Sequence, residues 1–209
     1  MRIFDTPIRQ FLHDAGSDSP TPGGGSIAAL CAALGASMGS MVANLTRGAK
    51  FEAVKDEMED LVQTMISAIG HFESLLEQDM ESFQTYMRAL GMPKSTDEEK
   101  QARSSALQES AVFAASVPLR LMRRSLEVMT AAAEVTAKVN KNVISDLAIA
   151  VITLEAAVQS AWITVEINLG SIKDVEQRRV LEAEGRSVLA KAVSMKQEVL
   201  AEIRKIIGR

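Results

Sequence analysis

Two aspartates interrupt apolar segments of this chain, and each could move protons in a reaction. Asp79 lies between Leu76 and Phe83 in a long amphipathic segment, where the 3.6-residue period calls for an apolar side chain. Burying an isolated carboxylate costs several kcal/mol, so a buried Asp79 must be paired, hydrogen-bonded or catalytic. The alternative is that the apolar face widens near the end of the helix and Asp79 meets water.

Asp146 lies one turn inside another apolar segment, just after Asn140, Asn142 and Ser145. Asp is common in the first turn of a helix, where it complements the partial positive charge of the helix N-terminus. The same carboxylate in a partly dry site would serve as a general acid/base, because burial tunes its pKa. Two amides and a hydroxyl nearby would then orient a polar substrate, so a structural and a catalytic role both stay open.

A glycine-rich loop precedes the first strongly apolar segment. Gly23, Gly24, Gly25 and Ser26 follow two prolines and lead into an uncharged run over 27–46. Consecutive glycines allow a tight turn or a close approach of the backbone to another group. Free N–H groups at the start of a helix attract anionic or polar small molecules, so the loop is a candidate binding site.

Asn44, Lys50 and a cluster of arginines are weaker candidates. Asn44 is the only amide in the first apolar helix, and it could either satisfy backbone groups at the helix end or bind substrate. Lys50 could be a solvated surface charge or a binding cation. Arg120, Arg123 and Arg124 fit a solvated face, or a site for a ligand tail that carries several carboxylates.

The elements that would position these residues are all helical. The 209 residues are 47% apolar but only 4% aromatic, and no segment shows the alternation of a half-buried strand. We therefore predict a single all-α domain over residues 1–209, a multihelical bundle with two buried central helices over 26–46 and 143–169. Amphipathic helices ring this centre, and the periodicity places them at 2–14, 52–90, from 97 onward, from about 118 to 139, and 172–207.

Three local signals mark expected helix boundaries. Thr96 with Glu99, and Ser171 with Asp174, each place a hydroxyl three residues before an acidic side chain, which is the capping-box pattern of a helix start. Pro118 is expected to begin or kink a helix, because proline has no N–H for an interior helical hydrogen bond.

The composition argues against several classes of partner and site. The formal net charge of −4 disfavours nucleic acid, which proteins bind by neutralising phosphates. With one cysteine and two histidines, neither an intrachain disulfide nor a zinc cluster of His and Cys is expected, and a reducing, cytoplasmic compartment fits. The start of the chain lacks a signal-peptide pattern. The run 26–46 is long enough to span a bilayer, but its polar residues favour a buried helix, so no membrane association is expected.

Several short motifs follow one another along the chain in a specific order: PTPGGGS at 20–26, MVANLT at 41–46, Asp79 before Phe83, MPK at 92–94 with TDEEK at 96–100, VPL at 117–119, NKNVISD at 140–146, and Asn168 before Leu169. In this order they resemble the formiminotransferase-cyclodeaminase C-terminal family, which includes free-standing methenyltetrahydrofolate cyclohydrolases. The resemblance covers residues 5–175. It departs at three places. The family often has Gly where this chain has Val139, and Ala-Gly where this chain has Leu147-Ala148. A lysine-rich stretch of the family is reduced here to Ala49-Lys50.

The resemblance implies an all-α homodimer that carries out folate one-carbon chemistry between N5 and N10 of tetrahydrofolate. Formimidoyltetrahydrofolate cyclodeaminase is the leading expectation, and methenyltetrahydrofolate cyclohydrolase is the alternative. A non-catalytic helical scaffold is the alternative from another class. The tetrahydrofolate derivative, with or without a polyglutamate tail, would be the substrate, and no metal or cofactor is implied.

The resemblance also assigns expected roles to the candidate residues. Asp146 would be the acid/base and Asp79 a second carboxylate in the pocket. The glycine loop would form one wall of that pocket, and the helix carrying Asp146 would form the opposite wall. The expected substrate-binding residues are Gly23, Gly24, Gly25, Ser26, Asn44, Lys50, Asn140, Asn142 and Ser145.

Overall fold

The computed structural model describes residues 3–208, and this part of the chain is built from helices and contains no strand. The expected all-α bundle is therefore confirmed. Short 3-10 turns at Ile3–Asp5, Ala49–Val54 and Lys141–Val143 precede the first, third and fifth α-helices. The α-helices of residues 3–208 are α1 (Ile8–Ala15), α2 (Gly24–Asn44), α3 (Lys55–Leu90), α4 (Asp97–Glu134), α5 (Ile144–Leu169) and α6 (Val175–Ile207).

Four of these helices form a closed ring. Helix α2 packs against α3, α3 against α4, α4 against α5, and α5 against α2, while α6 lies against α4 and α5. This is the neighbour pattern of a four-helix bundle with an added helix. The two most apolar helices, α2 and α5, are direct neighbours, and their shared boundary sets where the polar candidates fall.

Helices α2 and α5 run antiparallel and very close together. The start of α2 lies beside Thr164, near the end of α5. Halfway along α2, a Cβ added to Gly35 would lie 2.7 Å from Leu154 Cγ and 3.0 Å from the Ala150 carbonyl oxygen. A real Cβ at that distance would push the helices apart, so Gly35 permits the close packing. The end of α2 meets the loop before α5, where the Asn140 amide donates to the Leu45 carbonyl oxygen at 3.0 Å.

Three predicted helix starts differ in outcome. The Thr96–Glu99 capping box is confirmed, since both reciprocal hydrogen bonds are present. The Ser171–Asp174 box is wrong, because Asp174 itself caps α6 and accepts from the Gln177 N–H at 2.9 Å, so the helix begins at Val175. The helix predicted over 2–14 is interrupted, because a proline at position 7 disfavours helical backbone before it; residue 2 lies outside the described residues.

Pro118 lies inside α4 rather than at its boundary. A proline in a helix leaves the carbonyl four residues earlier without its usual N–H donor. Here that carbonyl belongs to Ala114, and the side-chain amide of Asn168 on α5 donates to it at 3.1 Å. Contact with the neighbouring helix thus replaces the lost hydrogen bond, and α4 continues to Glu134.

Helices α2 and α5 keep an apolar surface that no other element within residues 3–208 covers. Both are long and apolar enough to cross a membrane by length and composition, although 56% and 50% of their most apolar windows are buried in the bundle. The uncovered side, called here the α2/α5 face, is formed by large apolar side chains that are each at least 38% exposed: Ile27, Leu34, Leu45, Ile149, Ile152, Ile163 and Ile167.

Candidate active site

A cavity of about 330 Å³ lies at the end of the bundle where α2 begins and α5 ends. Four elements form it: the loop before α2, the second half of α3, the middle of α4, and the last turns of α5. Its volume is at the small end of typical ligand sites, which run from about 300 to 1,000 Å³. The residues that carry its chemistry are the glycine loop, Asp79, Ser82, Tyr86, Thr164, Asn168 and Ser171.

Asp79 is the carboxylate in the lining of this cavity. The buried Ser26 hydroxyl donates to one of its carboxylate oxygens at 3.1 Å. Burial raises the pKa of Asp79 above its ordinary value, and hydrogen bonds from the Ser26 side chain and backbone partly oppose that rise. A carboxyl group with a raised pKa can hold and release a proton nearer to neutral pH, as an acid/base catalyst must.

Gly25 explains how the carboxylate comes so close to α2. A Cβ built on Gly25 would lie 2.2 Å from Asp79 Oδ1, so any other residue would displace the carboxylate. The first turn of a helix has unpaired N–H groups and a partial positive charge, both of which favour polar or anionic groups. Gly24, by contrast, is exposed. A Cβ built on Gly24 would lie 3.9 Å from Thr164 Oγ1, its nearest neighbour, which is an ordinary van der Waals distance.

Aromatic side chains from α3 form the apolar part of the lining. Phe83 and Tyr86 stand one and two turns beyond Asp79 on the same helix, and Ile167 faces them from α5. Sequence analysis missed Tyr86, although its spacing of seven residues from Asp79 places both on one helix face. Thr164 was also missed, because only the antiparallel packing of α5 on α2 brings it to the glycine loop.

The second group of predicted residues lies at the opposite end of the bundle. Asp146 is half-buried in the first turn of α5, and Asn142 and Ser145 beside it are exposed. The distance between Asp146 and Thr164 along the helix axis is about 27 Å, since each residue adds 1.5 Å. Within one chain, therefore, Asp146 and the glycine loop do not form two walls of one pocket. Helix α5 does supply the opposite wall, but through its C-terminal end.

Asn140 is hydrogen-bonded to a side-chain hydroxyl and to two backbone groups around it. Its N–H donates to Thr46 Oγ1 at 3.1 Å, its side-chain amide donates to the Leu45 carbonyl oxygen, and its Oδ1 accepts from the Asn142 N–H at 3.1 Å. These contacts join the end of α2 to the start of α5. Asn140 therefore holds the two helices together at this end.

Asn44 and Lys50 also lie at this end, away from the cavity. Asn44 is exposed, and its amide donates to the Ser40 carbonyl oxygen of its own helix at 3.0 Å. Lys50 is exposed in the turn before α3. Both were expected to bind substrate together with the glycine loop, but the full length of α2 separates them from that loop within one chain.

Comparison with known proteins gives the family. Residues 7–187 match the family described as formiminotransferase-cyclodeaminase, and the chain belongs to it. A solved structure of a formiminotetrahydrofolate cyclodeaminase from Thermotoga maritima superposes with a TM-score of 0.88 at 29% identity, over 98% of this chain and 99% of that one.

Two relatives carry different names for their activities. The methenyltetrahydrofolate cyclohydrolase of Methylorubrum extorquens is 36% identical over 204 residues, which are 96% of this chain and 97% of that protein. The formimidoyltransferase-cyclodeaminase of Mus musculus is 36% identical over 173 residues, which are 82% of this chain but only 32% of that protein. The chain thus corresponds to about a third of the mouse protein.

Proposed function

We propose that this protein is a folate one-carbon enzyme that acts on the carbon between N5 and N10 of tetrahydrofolate, with formimidoyltetrahydrofolate cyclodeaminase as the leading reaction. One observation carries the proposal: a carboxylate with a raised pKa, Asp79, faces a cavity beside the N-terminus of a helix. Family membership and the cyclodeaminase name of the Thermotoga maritima neighbour support the same chemistry. We propose that it needs no metal or cofactor.

The substrate is the protonated formimidoyl group, whose terminal nitrogen carries two hydrogens and a positive charge. The proposed reaction moves one proton from N10 to that nitrogen and leaves the positive charge on the methenyl bridge. N10 attacks the formimidoyl carbon, the new C–N10 bond closes the ring, and the C–N bond to the former imino nitrogen breaks. Asp79 accepts the proton that N10 loses and donates it to the nitrogen that departs as ammonia. The Ser26 hydroxyl, which already donates to this carboxylate, holds it in place during both transfers.

Methenyltetrahydrofolate cyclohydrolase is the second candidate, because the Methylorubrum extorquens relative of that name matches this chain over nearly the full length of both. In this reaction water attacks the methenyl carbon and the C–N5 bond breaks, giving 10-formyltetrahydrofolate. Asp79 would take one proton from the attacking water and supply it to N5. The second proton of that water is released to solvent when the C=O bond of the formyl group forms. The same residue and the same cavity therefore serve both reactions.

The ultraviolet absorbance of methenyltetrahydrofolate tests the proposal directly. With formimidoyltetrahydrofolate as substrate, a cyclodeaminase makes the absorbance appear. With methenyltetrahydrofolate, a cyclohydrolase makes it disappear faster than in buffer alone. No change in either assay would contradict the proposal and favour a scaffold role.

We further propose that the active unit is a homodimer formed through the α2/α5 face. Its seven exposed apolar side chains present on the order of 700 Å², close to the ~800 Å² per partner of a standard protein interface. A large apolar surface of this kind is rare on a monomer and marks an interaction site. A cytoplasmic location fits a second copy, rather than lipid, as the partner.

The dimer would complete the site from two chains. A two-fold axis perpendicular to α2 and α5 brings the cavity end of one chain against the Asp146 end of the other. In this pairing exposed Lys50 and Lys141 at the Asp146 end lie on the side of the partner's exposed Glu166 at the cavity end. Asp146, Asn142 and Ser145 of one chain would then approach the cavity of its partner.

Mixed dimers test this arrangement. Asp79→Asn and Asp146→Asn chains, each inactive alone, are co-expressed and the activity of the mixture is measured. If each site uses Asp79 of one chain and Asp146 of the other, half of the mixed dimers' sites are intact and about a quarter of wild-type activity returns. A mixture as inactive as its parents, or a wild-type protein that is monomeric in solution, would contradict the composite site.

We propose that a polyglutamate tail, where the folate carries one, follows a basic cluster next to the cavity. The cluster surrounds a second cavity of about 340 Å³ and consists of Lys94, Lys100, Arg103 and Lys173. Gln108 joins the two cavities, since it donates to the carbonyl oxygen of Ser171 at 3.2 Å and accepts from the Lys173 N–H at 2.7 Å.

The arginines named from sequence are engaged within the chain instead. Arg123 pairs with Glu184 at 2.9 Å, and Arg124 pairs with Glu127 at 2.9 Å. Replacing Lys94 and Lys173 by Gln together should raise KM for a pentaglutamate substrate several-fold and leave KM for the monoglutamate unchanged. Equal effects on both substrates would contradict a tail-binding role.

A further inference from the structure

Asn168 is held in one orientation by two backbone carbonyls. Its Nδ2 donates to the carbonyl oxygen of Ala114 on α4 at 3.1 Å and to that of Thr164 on α5 at 2.9 Å. A carbonyl oxygen can only accept, so the nitrogen of the amide, and not its oxygen, must face both of them. Both amide hydrogens are thereby used.

Pro118 is the reason that one of these carbonyls is free to accept. In an ordinary helix the Ala114 carbonyl would receive the N–H of residue 118, but proline has none. The Ala114 carbonyl would be buried without a partner if Asn168 did not supply one, and an unsatisfied buried carbonyl is costly. Pro118 on α4 and Asn168 on α5 therefore form a coupled pair, called here the Pro118–Asn168 pair.

The amide oxygen of Asn168 is left as an acceptor for a ligand. Ala114, Thr164 and Asn168 all line the cavity, and Asn168 is only partly buried. The side-chain hydrogen bonds that Asn168 makes within residues 3–208 both go through Nδ2, and neither uses Oδ1. The Thr164 hydroxyl, the nearest candidate on α5, donates instead to the Ser160 carbonyl oxygen. Oδ1 is thus an acceptor that these two hydrogen bonds leave unused, on a residue that lines the cavity from a different helix than Asp79.

The geometry points to Asn168 as a specificity-determining residue, which accepts a hydrogen bond from an N–H on the 2-amino edge of the reduced pterin and is locked in that role by Pro118. This inference rests on the proposed function. A side-chain amide that cannot rotate by 180° presents only its oxygen to the ligand. It therefore selects a ligand with a hydrogen-bond donor at that point and repels one with a lone pair there. A freely rotating amide would accept either, so the lock is what gives discrimination.

Binding measurements on two ligands and an Asn168→Leu variant test the inference. The ligands are tetrahydrofolate and its 2-desamino-2-methyl analogue, with Kd measured by calorimetry. Wild-type protein is expected to bind tetrahydrofolate about tenfold more tightly than the analogue, and Asn168→Leu should bind both equally. Loss of affinity for both ligands by the same factor, or no loss for either, would overturn the specificity role.

Pro118→Ala provides a second variant that does not depend on removing the amide. The N–H of alanine can bond to the Ala114 carbonyl and release one amide hydrogen of Asn168, so the amide regains its freedom to turn. Discrimination between the two ligands should fall several-fold, with thermal stability retained. The same change in an Asn168→Leu background should have no further effect on discrimination, since the two residues act as a unit. Independent, additive effects would overturn the coupling.

These outcomes separate this inference from the proposed function. If wild-type protein does not bind tetrahydrofolate, both are overturned. If it binds tetrahydrofolate and converts the folate substrate but Asn168→Leu discriminates as well as wild type, only the role of Asn168 is overturned.

Discussion

The two ends of the α2–α5 pair differ in what their polar residues do. At the cavity end, a carboxylate is enclosed between four elements, and its pKa is raised by burial. At the other end, the Asn140 side chain is hydrogen-bonded to the backbone of Leu45 and Asn142, while Asn142 and Ser145 are exposed. Both ends carry a helix N-terminus and an aspartate. What distinguishes them is enclosure, because a protein group becomes catalytically useful where water is excluded and its protonation is tuned.

The largest expected effect comes from removing the carboxylate at the cavity end. Asp79→Asn keeps the shape of the side chain but cannot take up and release a proton, so kcat should fall about 100-fold or more. The absorbance assay measures it. Glu77→Gln, an exposed change on the same helix, is the matched control and should keep wild-type kcat. A variant Asp79→Asn with wild-type turnover would mean that the cavity end is not where protons move.

A pair of glycine substitutions tests the contact that encloses Asp79. Gly25→Ala places a methyl group where the carboxylate now lies, 2.2 Å from Oδ1, so kcat should fall about tenfold or more as the carboxylate shifts. Gly24→Ala meets only Thr164 Oγ1 at 3.9 Å and should change kcat by less than about twofold. Equal effects of the two changes would show that the close contact does not matter.

The pH dependence of stability gives an independent measure of the same enclosure. Because the pKa of Asp79 is higher in the folded protein than in the unfolded chain, its contribution to stability is present in full at low pH and is lost as pH rises through the folded-state pKa. Asp79→Asn cannot ionise, so its free energy of unfolding should exceed that of wild type at neutral pH. The difference should vanish below pH 3.8, the ordinary pKa. Urea unfolding at several pH values measures it, and a variant less stable than wild type at pH 7 would contradict the direction.

The smallest effects are expected from Lys50 and Asn44, which are exposed at the opposite end and are not among the residues proposed to approach the partner's cavity. The Lys50 side chain is solvated, and the Asn44 side chain is hydrogen-bonded within its own helix. Lys50→Ala and Asn44→Ala should therefore each change the free energy of unfolding by no more than ~0.5 kcal/mol. Turnover should stay within about twofold of wild type. A large loss of kcat from either change would indicate that Lys50 or Asn44 also takes part in the site.

Much of the fold followed from local signals in the sequence. The 3.6-residue period predicted α3 and α5 to within a few residues, and the Thr96–Glu99 capping box fixed the start of α4. Pro118 was expected to begin or kink a helix, and the expected helix start is wrong, because Asn168 on another helix donates to the carbonyl that the proline leaves without its usual N–H partner. A rule that considers one segment at a time contains no information about such a partner.

The candidate site was predictable only in part. Asp79 stood out as a charged residue on an apolar stripe, and Gly25 as part of a triple glycine, and the structure brings these two together. The sequence could not show that α2 and α5 run antiparallel, which places Asp146 at the far end of the same chain. Distances between helices depend on topology, and neither motif order nor periodicity determines topology.

The location of bound folate tests the central claim most directly. A crystal structure of Asp79→Asn, which should bind substrate without converting it, is determined with formimidoyltetrahydrofolate. The account predicts that the one-carbon bridge lies within hydrogen-bonding distance of residue 79 and the pterin next to Asn168. Folate bound instead beside Lys50 and Asn44, away from residue 79 of either chain, would contradict it.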